Sequence, residues 1–160
     1  MNQYDLYDTM REFSGCEISP RRSEYLSYIL EKGGSIKPKD LADHFQVDPS
    51  TITKAVGRLA DSGLVYHTPY QGISLTDSGR QYAEFLVRRH RILGLILCKY
   101  GLSREEACRQ ALQMEGSLPR TFVDKMCASL GHPRKGICGD IPYDISCCSR
   151  ETRPGERERE

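Results

Sequence analysis

Residues 38–76 contain two short amphipathic segments separated by a polar break, and this pattern constrains the fold more than any other part of the chain. Apolar side chains keep helical spacing on both sides of the break, at Leu41, Ala42, Phe45, Ile52, Val56 and Leu59. The break, Asp48-Pro49-Ser50, suits the start of a helix, because Asp is a good N-cap residue and Pro fits the first helical position. The pattern therefore predicts two short helices folded on each other.

The second of these helices begins with small and polar side chains that can donate or accept hydrogen bonds. Gly63 ends it, and the alternating residues 64–75 turn at 70–72, which predicts a two-stranded wing. A polar helix beside a wing is the geometry with which small domains read the DNA major groove. The predicted DNA contacts include flanking basic and polar residues: Lys37, Lys39, Asp48, Pro49, Ser50, Thr51, Thr53, Lys54, Arg58 and Gln71.

Length and charge are consistent with this arrangement. A chain of 160 residues can hold one domain or two small ones that share an interface. Residues 19–100 carry 12 Lys and Arg against 8 Asp and Glu, so positive charge is concentrated where the helix-turn-helix pattern lies. No apolar run approaches the roughly 20 residues that span a bilayer, and the polar start lacks the features of a signal peptide. We therefore expect a cytoplasmic protein with no membrane partner.

Periodicity along the rest of the chain predicts a mainly α fold with a small β wing, in which a winged helix-turn-helix head precedes a helical dimerisation domain. An apolar face after Pro20 predicts the first head helix, and a wide apolar stripe between Leu75 and Lys99 predicts a long helix that needs a partner. The predicted units are a flexible N-terminal arm at 1–18, the head at 19–75, the helical domain at 76–131, a Cys-rich loop at 132–148 and a disordered charged tail at 149–160.

Four segments carry a family resemblance: Ser-Glu-Tyr-Leu at 23–26, the helix-turn-helix and wing, Arg-Arg-His-Arg at 88–91, and Leu-Gly-His-Pro at 130–133. Together they resemble the diphtheria toxin repressor and manganese transport regulator family of metal-dependent transcriptional repressors, in its short two-domain form. The resemblance implies a homodimer that binds a palindromic double-stranded DNA operator when a divalent ion such as Fe, Mn or Zn is bound. It also implies that the helical domain senses the metal.

The resemblance implies a metal site at the hinge between head and helical domain, although the chain departs from the family pattern there. Glu24 and His90 fall on family ligand positions. Gly94 and Leu112 stand where the family has acidic or cysteine ligands, so the usual set is depleted. The candidate hinge ligands that remain are Glu24, His90, Cys108 and Glu115. Such a set could hold a divalent ion with water completing the shell, or His90 and Glu24 could be an ordinary interface residue and a surface charge.

The cysteines suggest a second site near the C-terminus. The chain has 7 cysteines, an odd number that argues against a simple disulfide framework in a cytosolic protein. Five candidate ligands lie within 22 residues: Cys127, His132, Cys138, Cys147 and Cys148. Thiolates at this density suit a structural zinc ion or an iron-sulfur centre, whereas the alternative is a buried Cys127 beside free thiols.

The sequence thus favours a DNA-binding transcriptional regulator that acts as a repressor and whose operator affinity is controlled by a divalent metal such as iron or manganese. One alternative keeps the DNA binding but uses the C-terminal cysteines as a thiol or zinc redox sensor. Another is a winged helix that binds only proteins. No phosphate-binding glycine loop, activated nucleophile or paired carboxylate indicates an enzyme.

Overall fold

The computed structural model describes residues 13–68 and 71–149, and its first half forms a three-helix head with a β wing. The head contains α1 (Pro20–Glu31), β1 (Ser35–Ile36), α2 (Pro38–Phe45), α3 (Pro49–Asp61), β2 (Val65–Thr68) and β3 (Gly72–Leu75). The second half contains α4 (Asp77–Lys99), α5 (Arg104–Met114), a 3₁₀ turn (Glu115–Ser117), α6 (Arg120–Ser129), β4 (Lys135–Gly136), β5 (Gly139–Asp140) and α7 (Ile145–Cys148). The predicted fold class, mainly α with a small β wing, is confirmed.

Helices α2 and α3 form the predicted helix-turn-helix, and each has a proline in its first turn. Gln46 ends α2 in the left-handed conformation with a φ of 52°, which turns the chain towards α3. Asp48 occupies the N-cap position of α3, but its side chain makes no capping hydrogen bond. The inner face of α3 is buried in the head core through Ile52, Val56 and Leu59. The apolar periodicity therefore identifies the correct inner face.

The wing sheet has three antiparallel strands in the order β1-β3-β2, one more than the sequence predicts. The predicted hairpin pairs Val65 with Leu75, and the two-residue β1 adds Ser35 opposite Ser74 on the other edge of β3. The added strand is too short to leave an alternation in the sequence, which is why the pattern did not reveal it. It ties the chain after α1 to the wing.

Helix α4 is the longest helix and packs against α1 of the head and against α5 and α6. Thr76 caps its start, because the side-chain oxygen accepts a hydrogen bond from the Gly79 N–H at 2.9 Å. Position 79 requires glycine, since a Cβ there would lie 1.7 Å from the carbonyl oxygen of Leu64. The first turn of α4 thus lies directly against the chain that enters the wing.

Residues 13–18 pack on α4, which corrects the flexible arm expected for this part of residues 1–18. The Arg89 Nη1 donates to the carbonyl of Gly15 at 2.7 Å, and the Tyr82 hydroxyl donates to the Glu17 carboxylate at 2.8 Å. These partners lie more than sixty residues away in the chain, so local periodicity carries no trace of them. Residues 1–12 of the predicted arm and 150–160 of the predicted charged tail lie outside the described residues.

The segment expected to be a Cys-rich loop contains the β4–β5 hairpin and the helical turn α7. Arg91 of α4 donates to the carbonyl of Asp140, and Arg104 of α5 donates to the carbonyl of Ile137, so two helices hold the hairpin. Asp144 caps α7 by accepting hydrogen bonds from the backbone N–H groups of Ser146 at 2.9 Å and Cys147 at 3.3 Å. In the described ranges, no helix combines the length and apolarity needed to cross a membrane.

Candidate nucleic-acid interface and metal centres

The outer face of α3 presents the side chains predicted to contact DNA. The exposed residues at its start and along this face are Asp48, Pro49, Ser50, Thr51, Thr53, Lys54 and Arg58. The Thr53 hydroxyl donates to the Pro49 carbonyl at 2.9 Å, which leaves its lone pairs to accept a hydrogen bond. Apart from the exposed N-cap residue Asp48, the first turn of α3 holds no acidic residue. This face has the chemistry of a recognition helix.

The other predicted DNA contacts lie at the start of α2 and at the tip of the wing. Lys37, Lys39 and Gln71 are all exposed. Lys37 and Gln71 line one surface groove together with Lys32, so the wing turn and the start of α2 are neighbours. Basic and amide side chains in such a groove can contact a phosphate backbone without reading bases.

A cavity of about 310 Å³ separates the head from the helical half of the chain. Glu24 of α1 lies on its head side, whereas His90 of α4, Glu115 and Cys138 lie on the helical side. The hinge residues that the resemblance implies, apart from Cys108, thus line one cavity. Glu24 is exposed and forms an ion pair with Arg21, with 2.8 Å between its Oε2 and the Arg21 Nη1.

Three potential metal ligands, His90, Cys108 and Cys138, lie close together, and two of them, His90 and Cys138, line this cavity. Their ligand atoms lie within 4.8 Å of one another. The His90 Nδ1 lies 2.7 Å from the Glu115 Oε2, so Glu115 orients the imidazole and leaves the Nε2 for a metal. Burial raises the pKa of the Cys108 thiol, and the neighbouring thiol of Cys138 raises it further. We call these three residues the His90 cluster.

Gly94 of α4 packs against the hairpin that carries Cys138. A Cβ at Gly94 would lie 2.9 Å from the Cδ1 of Ile137, which shows that Ile137 fills the space of the missing side chain. Cys138 is the next residue, so the hairpin supplies a thiol to a site at which α4 lacks its acidic residue. The sequence predicts Cys138 at the C-terminal site instead, because no local pattern connects it to His90.

The other four C-terminal candidates come together in a second group, which we call the Cys127 cluster. Ligand atoms of Cys127, His132, Cys147 and Cys148 lie within 4.8 Å of one another. The His132 Nδ1 lies 3.5 Å from the Cys127 Sγ and 3.8 Å from the Cys147 Sγ. His132 adopts a left-handed backbone conformation with a φ of 53°, uncommon for a residue other than glycine. The five residues predicted to form one site therefore lie in two separate groups, with Cys138 in the His90 cluster.

Arg88 of α4 lies beside the Cys127 cluster, and the sequence analysis did not identify it. Its side chain is 1% exposed, and its Nη1 forms ion pairs with Asp124 at 2.8 Å and Asp144 at 3.5 Å. Burial opposes its charge, but Asp124, Cys127 and Cys147 together raise the pKa of Arg88 above its usual value. Burial also raises the pKa of the Cys147 thiol. An arginine inside a long helix gives no sequence signal that distinguishes it from a surface residue.

Two profiles of one protein family match consecutive parts of the chain. "Iron dependent repressor, N-terminal DNA binding domain" matches residues 17–73, and "Iron dependent repressor, metal binding and dimerisation domain" matches residues 76–142. The second range includes the whole His90 cluster and ends before Cys147 and Cys148.

Individual proteins give the same picture. The chain is 30% identical over 111 residues to the HTH-type transcriptional regulator MntR of Geobacillus kaustophilus. The matched region covers 68% of this chain and 79% of the relative. The structure of the hypothetical protein SSo2273 from Sulfolobus solfataricus matches with a TM-score of 0.68 and 27% identity, covering 79% of this chain and 100% of that one. A manganese-dependent transcriptional repressor in complex with manganese matches with a TM-score of 0.62 and 29% identity, covering 77% of this chain and 62% of that one.

Proposed function

The chain belongs to the iron-dependent repressor family of metal-dependent transcriptional regulators, and we propose that its binding to DNA depends on a divalent metal ion held by His90, Cys108 and Cys138. The family match supports a metal-controlled repressor over the two alternatives, a thiol switch without metal control and a winged helix that binds only proteins. The observation that carries the proposal for the site is that the three ligand atoms lie within 4.8 Å of one another, and that His90 and Cys138 also line the cavity beside the head.

The donor atoms of the His90 cluster determine which metals fit. Two thiolates and one imidazole are softer than the carboxylate and carbonyl oxygens that Mn²⁺ prefers, and they suit Fe²⁺ or Zn²⁺. The tetrahedral preference of zinc would leave one further position for water or a carboxylate. We therefore propose that the effector of this protein is iron or zinc rather than manganese.

Glu24 offers a link between this site and the head. It lies across the cavity from His90, on the helix that packs against α4, and its present partner is the exposed Arg21. A carboxylate that leaves a surface ion pair loses little, because exposed pairs contribute about 0–1 kcal/mol. We propose that Glu24 completes the ligand set and that the head is thereby fixed relative to α4.

Fixing the head matters because the family acts through dimers. The matched domain includes a dimerisation function, and the single chain leaves apolar side chains exposed at Tyr100, Met114 and Phe122. In a two-fold symmetric dimer, two recognition helices reach successive major grooves only at a spacing of about one helical turn. We propose a palindromic operator on this ground, with the head position setting the spacing.

The test is a measurement of operator affinity as a function of metal. An operator is first selected from a random duplex library in the presence of Fe²⁺ under anaerobic conditions, and its affinity is then measured by fluorescence anisotropy with Fe²⁺, Zn²⁺, Mn²⁺ or chelator. We expect Fe²⁺ or Zn²⁺ to raise the affinity at least about tenfold, a coupling free energy of about 1.4 kcal/mol. Mn²⁺ is expected to require a higher concentration.

His90→Ala and Cys138→Ser should abolish this response. The matched control is Cys16→Ser, which removes an exposed thiol outside both clusters. Operator binding that is unaffected by metal, or a full metal response in both ligand variants, would contradict the proposal.

A further inference from the structure

We infer that Cys127, His132, Cys147 and Cys148 form a structural zinc site that is separate from the His90 cluster and joins the C-terminal segment to α6. The ligands would be three thiolates and the Nδ1 of His132, a set typical of closed structural zinc sites. The family profile for the metal-binding domain ends at residue 142 and therefore does not include Cys147 or Cys148.

The distances within the Cys127 cluster match a tetrahedron around one ion. Zn–S bonds of about 2.3 Å and Zn–N bonds of about 2.0 Å place neighbouring sulfur and nitrogen ligands about 3.6 Å apart. The distances from the His132 Nδ1 to the sulfurs of Cys127 and Cys147 are 3.5 Å and 3.8 Å, and all four ligand atoms, including that of Cys148, lie within 4.8 Å of one another. A two-iron cluster would separate the ligands of its two irons further, so the geometry favours a single ion.

Local backbone structure positions the four side chains. Cys127 lies in the last turn of α6, and the His132 N–H donates to the Cys127 carbonyl at 3.0 Å as the helix ends. Asp144 accepts hydrogen bonds from the backbone at the start of α7, which fixes the turn that carries Cys147 and Cys148. Asp144 is itself held by Arg120 at 3.1 Å. The four side chains are therefore carried by packed, hydrogen-bonded elements.

Charge around the cluster also fits a metal thiolate centre. One Zn²⁺ with three thiolates and a neutral imidazole carries a net charge of −1. Arg88 lies beside it, and its Nε and Nη2 have no hydrogen-bond partner within the part of the chain that the structure describes. Buried N–H groups normally find an acceptor, and a thiolate is one. Zinc binding would release the three thiol protons to solvent, after which the anionic site would offset the buried guanidinium.

The proposed zinc site would also affect the hairpin that lies between its ligands in the sequence. His132 and Cys147 bracket the β4–β5 hairpin, and that hairpin carries Cys138 to His90. A zinc ion bound at both ends of this segment would hold the hairpin as a closed loop. The C-terminal zinc would therefore keep one ligand of the metal-sensing site in position.

The first experiment is elemental analysis of full-length protein purified without chelator or metal-affinity chromatography and reconstituted with Zn²⁺. The variants are Cys138→Ser, the Cys147→Ser and Cys148→Ser double variant made in the Cys138→Ser background, and the control Cys16→Ser. Both Cys138→Ser proteins lack a ligand of the His90 cluster, so they report on the C-terminal site alone. After dialysis against a weak chelator, we expect about one zinc per chain in Cys138→Ser and at least one in the wild type and the control. The double variant is expected to hold none. Zinc retained by the double variant, or zinc absent from reconstituted Cys138→Ser, would overturn the inference.

The second experiment does not depend on the folding of the double variant. X-ray absorption on zinc-loaded Cys138→Ser, in which the His90 cluster lacks a ligand, should show three sulfur ligands at about 2.3 Å and one nitrogen at about 2.0 Å. Fewer sulfur ligands would overturn the assignment, as would acid-labile sulfide with the visible absorption of an iron-sulfur cluster. The two metal sites share no ligand, so failure of metal-dependent DNA binding in Cys138→Ser leaves this result unaffected.

Discussion

At the scale of single residues, two glycines in helices show how differently the same residue type can be used. A Cβ at Gly79 would lie 1.7 Å from the Leu64 carbonyl oxygen, whereas a Cβ at Gly57 would meet nothing within 4 Å. The first glycine permits a close approach of two backbone segments. The second only adds conformational freedom to the unfolded chain, because glycine in a helix interior is less favourable than alanine.

Alanine at these two positions should change stability in opposite directions. We expect Gly79→Ala to lower the free energy of unfolding by about 3 kcal/mol, since two backbone segments must move apart. Gly57→Ala should raise it by about 0.5–1 kcal/mol. Urea unfolding followed by circular dichroism measures both. If Gly79→Ala left the free energy of unfolding unchanged, the first turn of α4 would not lie against Leu64.

The contact between residues 13–18 and α4 makes a prediction about pH. Burial tends to raise the pKa of the Glu17 carboxyl, but the Tyr82 hydroxyl and the backbone N–H groups around it outweigh burial and lower the pKa. A carboxyl with a lowered pKa in the folded state contributes stability above its unfolded pKa of about 4.5, and the contribution is lost as pH falls through the folded value.

We therefore expect Glu17→Gln to destabilise the protein by up to about 1 kcal/mol near pH 7, and by progressively less below about pH 4.5. Urea unfolding of both proteins across this pH range provides the comparison. The same substitution in a Tyr82→Phe background should have a smaller effect, because the hydroxyl that bonds the carboxylate is gone. A difference that is constant with pH would show that the Glu17 carboxylate makes no stabilising bond.

At the scale of elements, apolar periodicity predicts helices α1, α2, α3 and α4, because each buries one stripe of apolar side chains in the core. Periodicity does not predict three other features, for different reasons. β1 is only two residues long, residues 13–18 depend on distant partners, and the hairpin carrying Cys138 is placed by Arg91, Arg104 and Ile137 rather than by its own sequence. The candidate ligands were therefore found by residue type, and only the fold divides them into two clusters.

Helix α3, the proposed recognition helix, offers a prediction that separates phosphate contacts from base contacts. Arg58 and Thr51 are both exposed on α3. Arg58→Ala should weaken binding to all duplexes alike and reduce the slope of log K against log salt by about 1. Thr51→Ala should leave that slope unchanged. It should instead reduce the discrimination between bases at the contacted base pair, by about 1–3 kcal/mol.

Anisotropy titrations at several salt concentrations, on the selected operator and on a scrambled duplex, measure both effects. Lys99→Ala is the matched control, because Lys99 is an exposed basic residue at the far end of α4. If Lys99→Ala reduced the salt dependence as much as Arg58→Ala does, the assignment of α3 as the DNA-contacting helix would be wrong.

At the scale of the whole molecule, three parts follow one another: the head that carries α3, the His90 cluster next to the cavity between the head and α4, and the Cys127 cluster near the C-terminus. Arg91 and Arg104 hold the hairpin against α4 and α5, and the Cys127 cluster brackets it. The proposed sensing ligand Cys138 is exposed and lies on this hairpin, so its position depends on contacts made elsewhere. Ligands held by such supporting contacts lose affinity when the contacts are removed.

Replacing Cys147 and Cys148 with serine should therefore raise the Fe²⁺ or Zn²⁺ concentration needed for operator binding by about tenfold, although neither residue belongs to the His90 cluster. Affinity for DNA in the absence of metal should stay unchanged, because the substituted residues lie in the C-terminal segment and not in α3 or the wing. Anisotropy at fixed operator and increasing metal gives the shift, with Cys16→Ser as control. An unchanged midpoint in a variant that has lost its C-terminal zinc would show that the hairpin is held by Arg91 and Arg104 alone.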